Sequence, residues 1–190
     1  ITKTDLDCFI KYFVKRNYKF IDGDDLMSGK LDLNRCYIYL TFDDGYYNNF
    51  NALEILDKYN AKATFFISTE HVEKQKPFWW DVVYRERSIR GIHSTTIYKE
   101  IDKLKSLTFN ELDKNMRNEF GEKYLTPLNN MDRPMNMEEL KIFSSHSCVS
   151  IGNQTSNHLN LTVHSDNEVK KSIEDAEQFL LSITGKSIKS

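Results

Sequence analysis

Apolar residues recur at helical spacing near the start of the chain, between residues 4 and 15. This spacing predicts an amphipathic helix with Thr4 and Asp7 as its N-terminal capping pair. Aromatic and apolar residues 18–21 then predict a short strand, and the turn-rich residues 22–25 follow it. The chain is therefore expected to begin with a helix, a strand and a loop.

The strongest strand pattern covers residues 36–42, which are mostly aromatic, aliphatic or β-branched and end at Asp43. A buried strand that ends in a loop is predicted there. Residues 49–59 carry apolar side chains at helical spacing, and residues 63–67 predict a second strand. Strand, helix and strand within about 30 residues form a βαβ unit, so the fold class is α/β with a parallel sheet or barrel.

The pattern turns mostly helical and charged over residues 70–145. Thr108 and Asn136 are each followed by Glu three residues later, which is the signature of a capping box. These signatures predict helices over residues 109–123 and 137–144. We interpret the whole stretch as a mostly helical insertion in the same domain.

A strand is predicted again over residues 149–152, and the polar loop 153–162 follows it. The last helix is predicted to begin at Ser165, which is followed three residues later by Glu, and to end at Gly185. The strands therefore alternate with helices along the chain.

Composition fits one ordinary globular domain, since 39% of the 190 residues are hydrophobic and 28% are charged. Disordered and fibrous classes do not fit these values. The formal net charge of −2 gives no basic surface, so a nucleic-acid partner is not expected. No apolar run approaches the roughly 20 residues of a transmembrane segment. Nothing in the sequence identifies a protein partner.

The three cysteines, Cys8, Cys36 and Cys148, have no CxxC spacing. An odd number with this spacing argues against a disulfide framework and against a thiolate zinc site, and is typical of buried or incidental thiols in a reducing compartment. The N-terminus also lacks a signal-peptide pattern. These features favour a cytoplasmic over an exported protein, although a chain that opens on Ile1 rather than Met constrains this little.

Two adjacent carboxylates, Asp43 and Asp44, follow the predicted strand 36–42. Ligands bind at the carboxyl ends of strands in parallel α/β folds, so this position makes both residues candidates. Acids this close repel each other unless they share a cation or a proton, which favours a metal beside one and a base role for the other. The alternative is an ordinary Asp-Asp-Gly turn.

His158 lies in a polar loop after another predicted strand, so it can face the same edge of the sheet as Asp43 and Asp44. A histidine in such a loop is, by itself, more often a surface or hydrogen-bonded residue than a metal ligand. The loop is therefore informative only together with the two carboxylates.

The sequence TFDDG at residues 41–45, with the Gly-x-x-Thr-x-x-His-x-x-Leu-Thr loop at residues 152–162, resembles the NodB homology domain of polysaccharide deacetylases, carbohydrate esterase family 4. Residues 62–66 are similar to the second strand of that family. Residues 77–81 are similar to a segment of many bacterial members, and residues 133–140 to the helix before the second motif. The resemblance thus covers nearly the whole chain.

The resemblance implies a role for each matching residue. Asp43 matches the catalytic base, Asp44 and His158 match ligands of a divalent metal, and Thr155 matches the hydroxyl that steadies the loop. The implied metal is zinc, with cobalt or nickel as alternatives. Gln154 stands where the family has its first ligand histidine, so it is a doubtful ligand. A carboxamide oxygen is a poorer and harder donor than imidazole, and weaker binding is expected.

Three interpretations of Gln154 stay open: a natural variant with another metal preference, a degenerate site in a non-catalytic relative, and an engineered substitution. The family also places an arginine that orients the base and a histidine general acid beyond residue 190. His146 and His164 match no family position, and structural or surface roles are expected for both. Trp79 and Trp80 are candidates for sugar stacking or for core packing.

The implied activity is hydrolysis of acetyl groups, N-acetyl before O-acetyl, from a carbohydrate substrate that is an amino-sugar polysaccharide or glycan precursor. The implied fold is a NodB-type distorted (β/α) barrel, incomplete at its C-terminal side, formed by residues 1–190 as a single domain. One alternative is a catalytically inactive NodB-like protein that binds glycan or a partner. Another is an unrelated α/β hydrolase or binding module with a chance match.

Overall fold

The computed structural model describes residues 1–186, in which short parallel strands alternate with α-helices. The strands are β1 (Lys19–Ile21), β2 (Tyr37–Tyr39), β3 (Thr41–Phe42), β4 (Ala63–Ile67) and β5 (Val149–Asn153). The helices are α1 (Lys3–Val14), α2 (Gly23–Met27), α3 (Phe50–Tyr59), α4 (Thr69–Lys74), α5 (Trp79–Ile89), α6 (Ser94–Leu104), α7 (Phe109–Phe120), α8 (Met137–Ser144) and α9 (Asp166–Thr184).

All strand pairs are parallel, which confirms the predicted α/β class. β1 pairs with β2, and a second sheet has the order β3-β4-β5. In that sheet Thr41 lies opposite Thr64, and Ala63 lies opposite Val149. The sheets do not close on themselves within residues 1–186, so the barrel and its incompleteness at the C-terminal side stay predictions.

The single buried strand predicted over residues 36–42 is wrong in two respects. It is split at Leu40, because β2 pairs with β1 and β3 pairs with β4. It is also only half-buried, because Ile38, Leu40 and Phe42 pack against the core while the residues between them face away from it. Residues 36–42 thus bury only one of the two faces of the strand, although the sequence pattern is apolar or aromatic on both.

The first helix begins earlier than predicted. Its capping box joins Thr2 and Asp5, not Thr4 and Asp7. With this start, Asp7 faces α3, where its carboxylate accepts hydrogen bonds from Lys58 Nζ at 2.6 Å and Tyr59 Oη at 3.1 Å. The residue that was predicted as a cap instead ties α1 to α3.

The other capping predictions are confirmed. Thr108, Asn136 and Ser165 each form a capping box with the glutamate three residues later. The helix predicted over residues 109–123 ends as an α-helix at Phe120 and continues as a 3₁₀ turn, because Gly121 adopts a φ of 55°.

Two groups of buried side chains stabilise the fold. The larger packs β3 to β5 against α1, α3, α8 and α9 around fully buried side chains such as Leu56, Phe65 and Phe143. The smaller lies within the helices between β4 and β5, and includes Ile97 and Met116. The helical segment thus has its own core, while its assignment to a single domain with the sheet stays a prediction. No helix in the described part of the chain is long and apolar enough to cross a membrane.

Candidate active site

The loop after β3 places two acidic residues at the carboxyl edge of the sheet, which we define as the edge where β3, β4 and β5 end. Asp44 has a φ of 76° and Gly45 a φ of 85°. A positive φ is uncommon for a residue other than glycine and costs about 1–3 kcal/mol. A Cβ at Gly45 would lie 3.1 Å from Cδ1 of Ile67, so the turn also needs glycine for space.

Three backbone hydrogen bonds to two neighbouring segments hold this strained turn. Gly45 O accepts from Met135 N at 2.9 Å, Tyr47 N donates to Arg133 O at 3.0 Å, and Ser68 N donates to Asp44 O at 3.3 Å. The turn is therefore held by the segment before α8 and by the end of β4.

The loop after β5 reaches the same edge. Gln154 N donates to Ile67 O at 3.1 Å and extends the pairing of β4 with β5. Asn153 Oδ1 accepts from Thr155 N at 2.8 Å. Thr155 and His158 adopt φ values of 62° and 51°, so this loop carries strain as well.

The two loops meet where the sequence predicted. Oδ1 of Asp44 lies 3.1 Å from Nε2 of His158, and the two side chains are 15% and 32% exposed. Although this distance allows an ion pair, Oδ1 is buried and accepts no hydrogen bond of acceptable geometry from any described residue. Ligand atoms at about 2.0–2.2 Å from one metal ion lie roughly 3 to 3.5 Å apart, depending on the coordination geometry, so this pair fits a shared divalent cation.

Burial and charge at this edge shift two pKa values. Burial lowers the pKa of His158, but the Asp44 carboxylate at 3.1 Å outweighs burial, and the net shift is upward. The pKa of Asp43 is raised, first by partial burial of its carboxyl and then by repulsion from Asp44, while His158 opposes both. Asp43 is the more exposed of the two acids. The two carboxylates thus differ in environment, as a base and a ligand would.

An aromatic wall covers one side of the Asp44–His158 pair. The ring of Trp80 lies 4.8 Å from that of His158. Trp80 Nε1 donates to Tyr46 Oη at 3.0 Å, and Tyr46 Oη donates to Asp81 Oδ2 at 2.6 Å. Burial raises the pKa of Asp81 to about 6. This chain of hydrogen bonds fixes the Trp80 indole beside the site, whereas Trp79 joins the wall only through an edge-to-face contact with Trp80.

A buried serine and histidine support the loop that carries His158. Ser68 Oγ donates to the carbonyl oxygen of Ser156 at 3.3 Å and lies 3.0 Å from His71 Nδ1. A hydroxyl has one proton, so His71 Nδ1–H donates to Ser68 in this arrangement. Burial lowers the pKa of His71 to about 3, and its ring stacks on Phe78 at 4.1 Å. A neutral, buried histidine thus stabilises the loop that carries His158 through Ser68.

The sequence did not single out Tyr46, Ser68, His71, Phe78 or Asp81 as site residues. Phe78 and Asp81 lie in the segment that resembles the family, which was the available signal. Ser68 and His71 had no signal, because their roles arise only when α4 packs against the loop after β5.

The remaining candidates lie in different places. The Gln154 backbone reaches the carboxyl edge, and its carboxamide makes no hydrogen bond to any residue in the range 1–186. His164 Nε2 accepts from Phe109 N at 3.0 Å, which is a structural role. His146 lies beyond the end of α8, at the other edge of the sheet.

Comparisons with known proteins identify the family and the fold. The family model "Polysaccharide deacetylase" matches residues 30–190. A Geobacillus stearothermophilus protein described as "Uncharacterized 30.6 kDa protein in fumA 3'region" is 38% identical over an alignment 97 positions long, which covers 42% of this chain and 36% of that protein.

Two solved structures share the fold at low sequence identity. The Streptococcus pyogenes deacetylase PplD in complex with acetate superposes with a TM-score of 0.62 at 16% identity, covering 99% of this chain and 60% of that one. IcaB from Ammonifex degensii gives a TM-score of 0.60 at 12% identity, covering 99% and 64%. The chain therefore spans less than two thirds of the length of each. Because the family model matches most of its residues, this chain belongs to the polysaccharide deacetylase family.

Proposed function

We propose that the full-length protein removes acetyl groups from an amino-sugar polysaccharide or glycan precursor by metal-dependent hydrolysis. The observation that carries this proposal is the buried Oδ1 of Asp44, which faces Nε2 of His158 at 3.1 Å and has no hydrogen-bond donor among the described residues. A buried carboxylate oxygen without a partner is costly, and a cation is the simplest group that would satisfy it together with an imidazole nitrogen.

Asp44 and His158 would hold the metal, with the carboxamide oxygen of Gln154 as a third ligand. Imidazole and carboxylate suit zinc, and cobalt and nickel accept the same donors. When bound, such a metal polarises the acetyl carbonyl and lowers the pKa of water. Replacement of a histidine by Gln154 supports weaker zinc binding than in a site with two histidines.

Asp43 would act as the general base. Its carboxyl lies beside the metal-binding pair, and its raised pKa makes it a better proton acceptor than an ordinary aspartate. It would take a proton from the attacking water, whose oxygen bonds to the acetyl carbon. The bond from that carbon to the sugar nitrogen would then break as the nitrogen takes up the proton that Asp43 had received, and acetate and the free amine would leave.

Trp80 is the better candidate for contact with the sugar. Its ring lies against His158, and its N–H is held by Tyr46. Both indoles pack against the core of the helical segment, but Trp79 contacts the Trp80 ring edge-to-face and makes no ring contact with His158. An indole fixed beside the reacting group can pack on the apolar face of a pyranose ring without losing much conformational freedom on binding.

The second candidate function is a catalytically inactive glycan-binding protein. Gln154 favours it, because the loss of one imidazole ligand weakens the site. The two candidates share the fold and the aromatic wall, and they differ in whether metal binding leads to hydrolysis.

The test uses full-length protein that has been stripped of metal and then supplied with zinc, cobalt or nickel. Acetate release from an acetylated chitooligosaccharide is measured for the protein as given and for Asp44→Ala. We expect release that requires added metal and is lost in Asp44→Ala. A protein that folds and binds the oligosaccharide but releases no acetate with any of the three metals, even as Gln154→His, would be the inactive relative.

A further inference from the structure

A second group of metal-ligating side chains lies at the amino edge of the sheet, which we define as the edge where β3, β4 and β5 begin. Asp57 is near the end of α3, His146 follows α8, and Cys148 directly precedes β5. One ligand atom from each lies within 4.8 Å of the other two. Because β5 has five residues at about 3.3 Å each, this group is roughly 16 Å from the carboxyl edge.

The backbone that carries these three residues is held by regular structure. Val149 N donates to His146 O at 3.1 Å, and Ala63 N donates to Cys148 O at 3.0 Å. Asn60 N donates to Asp57 O at 3.1 Å and closes the end of α3. The three side chains are thus presented by the ends of a helix and a strand and by a hydrogen-bonded turn, which is a suitable support for a metal site.

Two of the three side chains are accessible from solvent. Cys148 is buried at 6% exposure, His146 is half-buried and Asp57 is exposed. In the part of the chain that the structure describes, no group outside this trio hydrogen-bonds to the Asp57 carboxylate or the His146 ring. A cation could therefore enter from the Asp57 side without displacing a hydrogen bond from any described group outside the trio.

We propose that Asp57, His146 and Cys148 bind a zinc-type metal ion at a second, structural site. A thiolate and an imidazole select zinc over magnesium or calcium, and a carboxylate and a water complete four ligands. Ligand atoms on one zinc ion lie about 3.5 Å apart, given bond lengths of about 2.0–2.3 Å. The trio thus needs to contract by about 1 Å, and rotation of the Asp57 and His146 side chains can supply this movement.

A Cys-His-Asp arrangement also suggests a nucleophilic thiol, but the surroundings of Cys148 oppose that role. Cys148 is only 6% exposed, and the Asp57 carboxylate beside it places negative charge where a nucleophilic thiol needs positive charge. A nucleophilic cysteine needs a lowered pKa and exposure. In the proposed site the metal replaces the thiol proton, which is released to solvent as the sulfur–metal bond forms.

The position of the site indicates its role. The ion would join the end of α3 to the turn between α8 and β5. Both helices already pack against the sheet through the larger group of buried side chains. In parallel α/β folds the edge where strands begin contributes stability, whereas chemistry occurs at the edge where they end. Binding should therefore raise the thermal midpoint without adding a catalytic group.

The test titrates cobalt into full-length Asp44→Ala protein, in which the carboxyl-edge site is disabled. A thiolate ligand to cobalt gives an intense charge-transfer absorption in the near ultraviolet that nitrogen and oxygen ligands do not give. We expect this band to saturate at about one cobalt per chain and to be absent in the further variant Cys148→Ser. The exposed Cys36 supplies the matched control, since Cys36→Ser should keep the band.

His146→Ala and Asp57→Asn test whether the thiol acts with its neighbours. Each should weaken cobalt binding by more than the roughly 10–100-fold that loss of an outer-shell partner costs. Both residues are accessible, so these variants decide the matter even if Cys148→Ser does not fold. Absence of the band in Asp44→Ala, or unchanged affinity in both His146→Ala and Asp57→Asn, would overturn the second site. Because Asp44 is already replaced, these results do not depend on whether the protein is a deacetylase.

Discussion

The two edges of one parallel sheet carry similar side chains in different surroundings. At the carboxyl edge Asp44 and His158 both have positive φ values, and the buried Oδ1 of Asp44 accepts no hydrogen bond within residues 1–186. At the amino edge Asp57 and His146 lie on relaxed backbone, and only the cysteine of that trio is buried.

This difference suggests that one edge serves catalysis and the other serves the stability of the fold. Strained backbone and unpaired polar atoms persist only where neighbouring structure holds them, and they are concentrated at reactive sites. The turn at Asp44 is held by hydrogen bonds from Ser68 and Met135. We therefore assign catalysis to the carboxyl edge and stability to the amino edge, and the following changes test that division.

The largest expected effect comes from Asp43→Asn. Loss of a general base should lower kcat/KM for acetate release by about 10²–10⁴-fold, while zinc affinity changes little, because Asp43 is not a proposed ligand. Steady-state kinetics and a zinc titration on the same preparation measure both. Asp102→Asn, on an exposed face of α6, is the control. Equal loss of activity and zinc binding in Asp43→Asn would contradict the separate base role.

Gln154→His should strengthen zinc binding at the carboxyl edge. An imidazole in place of a carboxamide is expected to raise zinc affinity by about 10–100-fold, since imidazole is the better donor to zinc. Competition with a chelator of known affinity measures the change in Asp44-containing protein. If zinc affinity stays the same, the side chain at position 154 does not reach the metal.

His71, which supports the loop at the carboxyl edge, should make the stability of the folded protein sensitive to acid. Its folded-state pKa of about 3 is below its ordinary value of 6.5, so the unfolded chain takes up a proton first as pH falls. The stabilisation from neutral His71 is thus complete above about pH 6.5, and about 2 kcal/mol of it is lost between pH 7 and pH 5.

His71→Phe keeps the stacking on Phe78 and removes this titration. Urea unfolding of metal-free protein at the two pH values should show a smaller loss for the variant than for the wild type by about 2 kcal/mol. His158 is present in both proteins, and its raised pKa acts in the opposite direction, so it cancels in the comparison. Identical pH dependence would mean that His71 is not buried as a neutral ring.

The smallest effect is expected for the aromatic wall. Trp80→Phe removes the N–H donated to Tyr46, and one hydrogen bond is worth about 0.5–1.5 kcal/mol, or roughly threefold to tenfold in kcat/KM. Trp79→Phe is the matched change one residue away and should have less effect on kinetics. A larger kinetic effect for Trp79→Phe would place the sugar contact elsewhere.

Much of the carboxyl edge could be predicted from the sequence, because local sequence patterns indicate where its strands end. The apolar run before Asp43 and the strand before Gln154 indicated two strand ends, and parallel strands bring their ends to one edge. The resemblance then assigned Asp44 and His158 to one metal, and the structure brings these two side chains together.

The sequence could not show features that depend on packing. The division of residues 36–42 into two strands follows from a change of pairing partner, and the start of α1 at Lys3 follows from a different cap. The amino-edge trio was missed because Asp57 comes from a helix far along the chain from Cys148. Spacing rules for cysteine ligands detect only ligands that are close in sequence.

Anomalous diffraction from a zinc-soaked crystal of the full-length protein tests the central claim most directly. We expect a zinc peak within bonding distance of both Asp44 Oδ1 and His158 Nε2, with Asp43 beside it and not bound to the ion. A map with no peak between these two atoms, from crystals of folded protein at saturating zinc, would contradict the account of the carboxyl edge as a metal-dependent catalytic site.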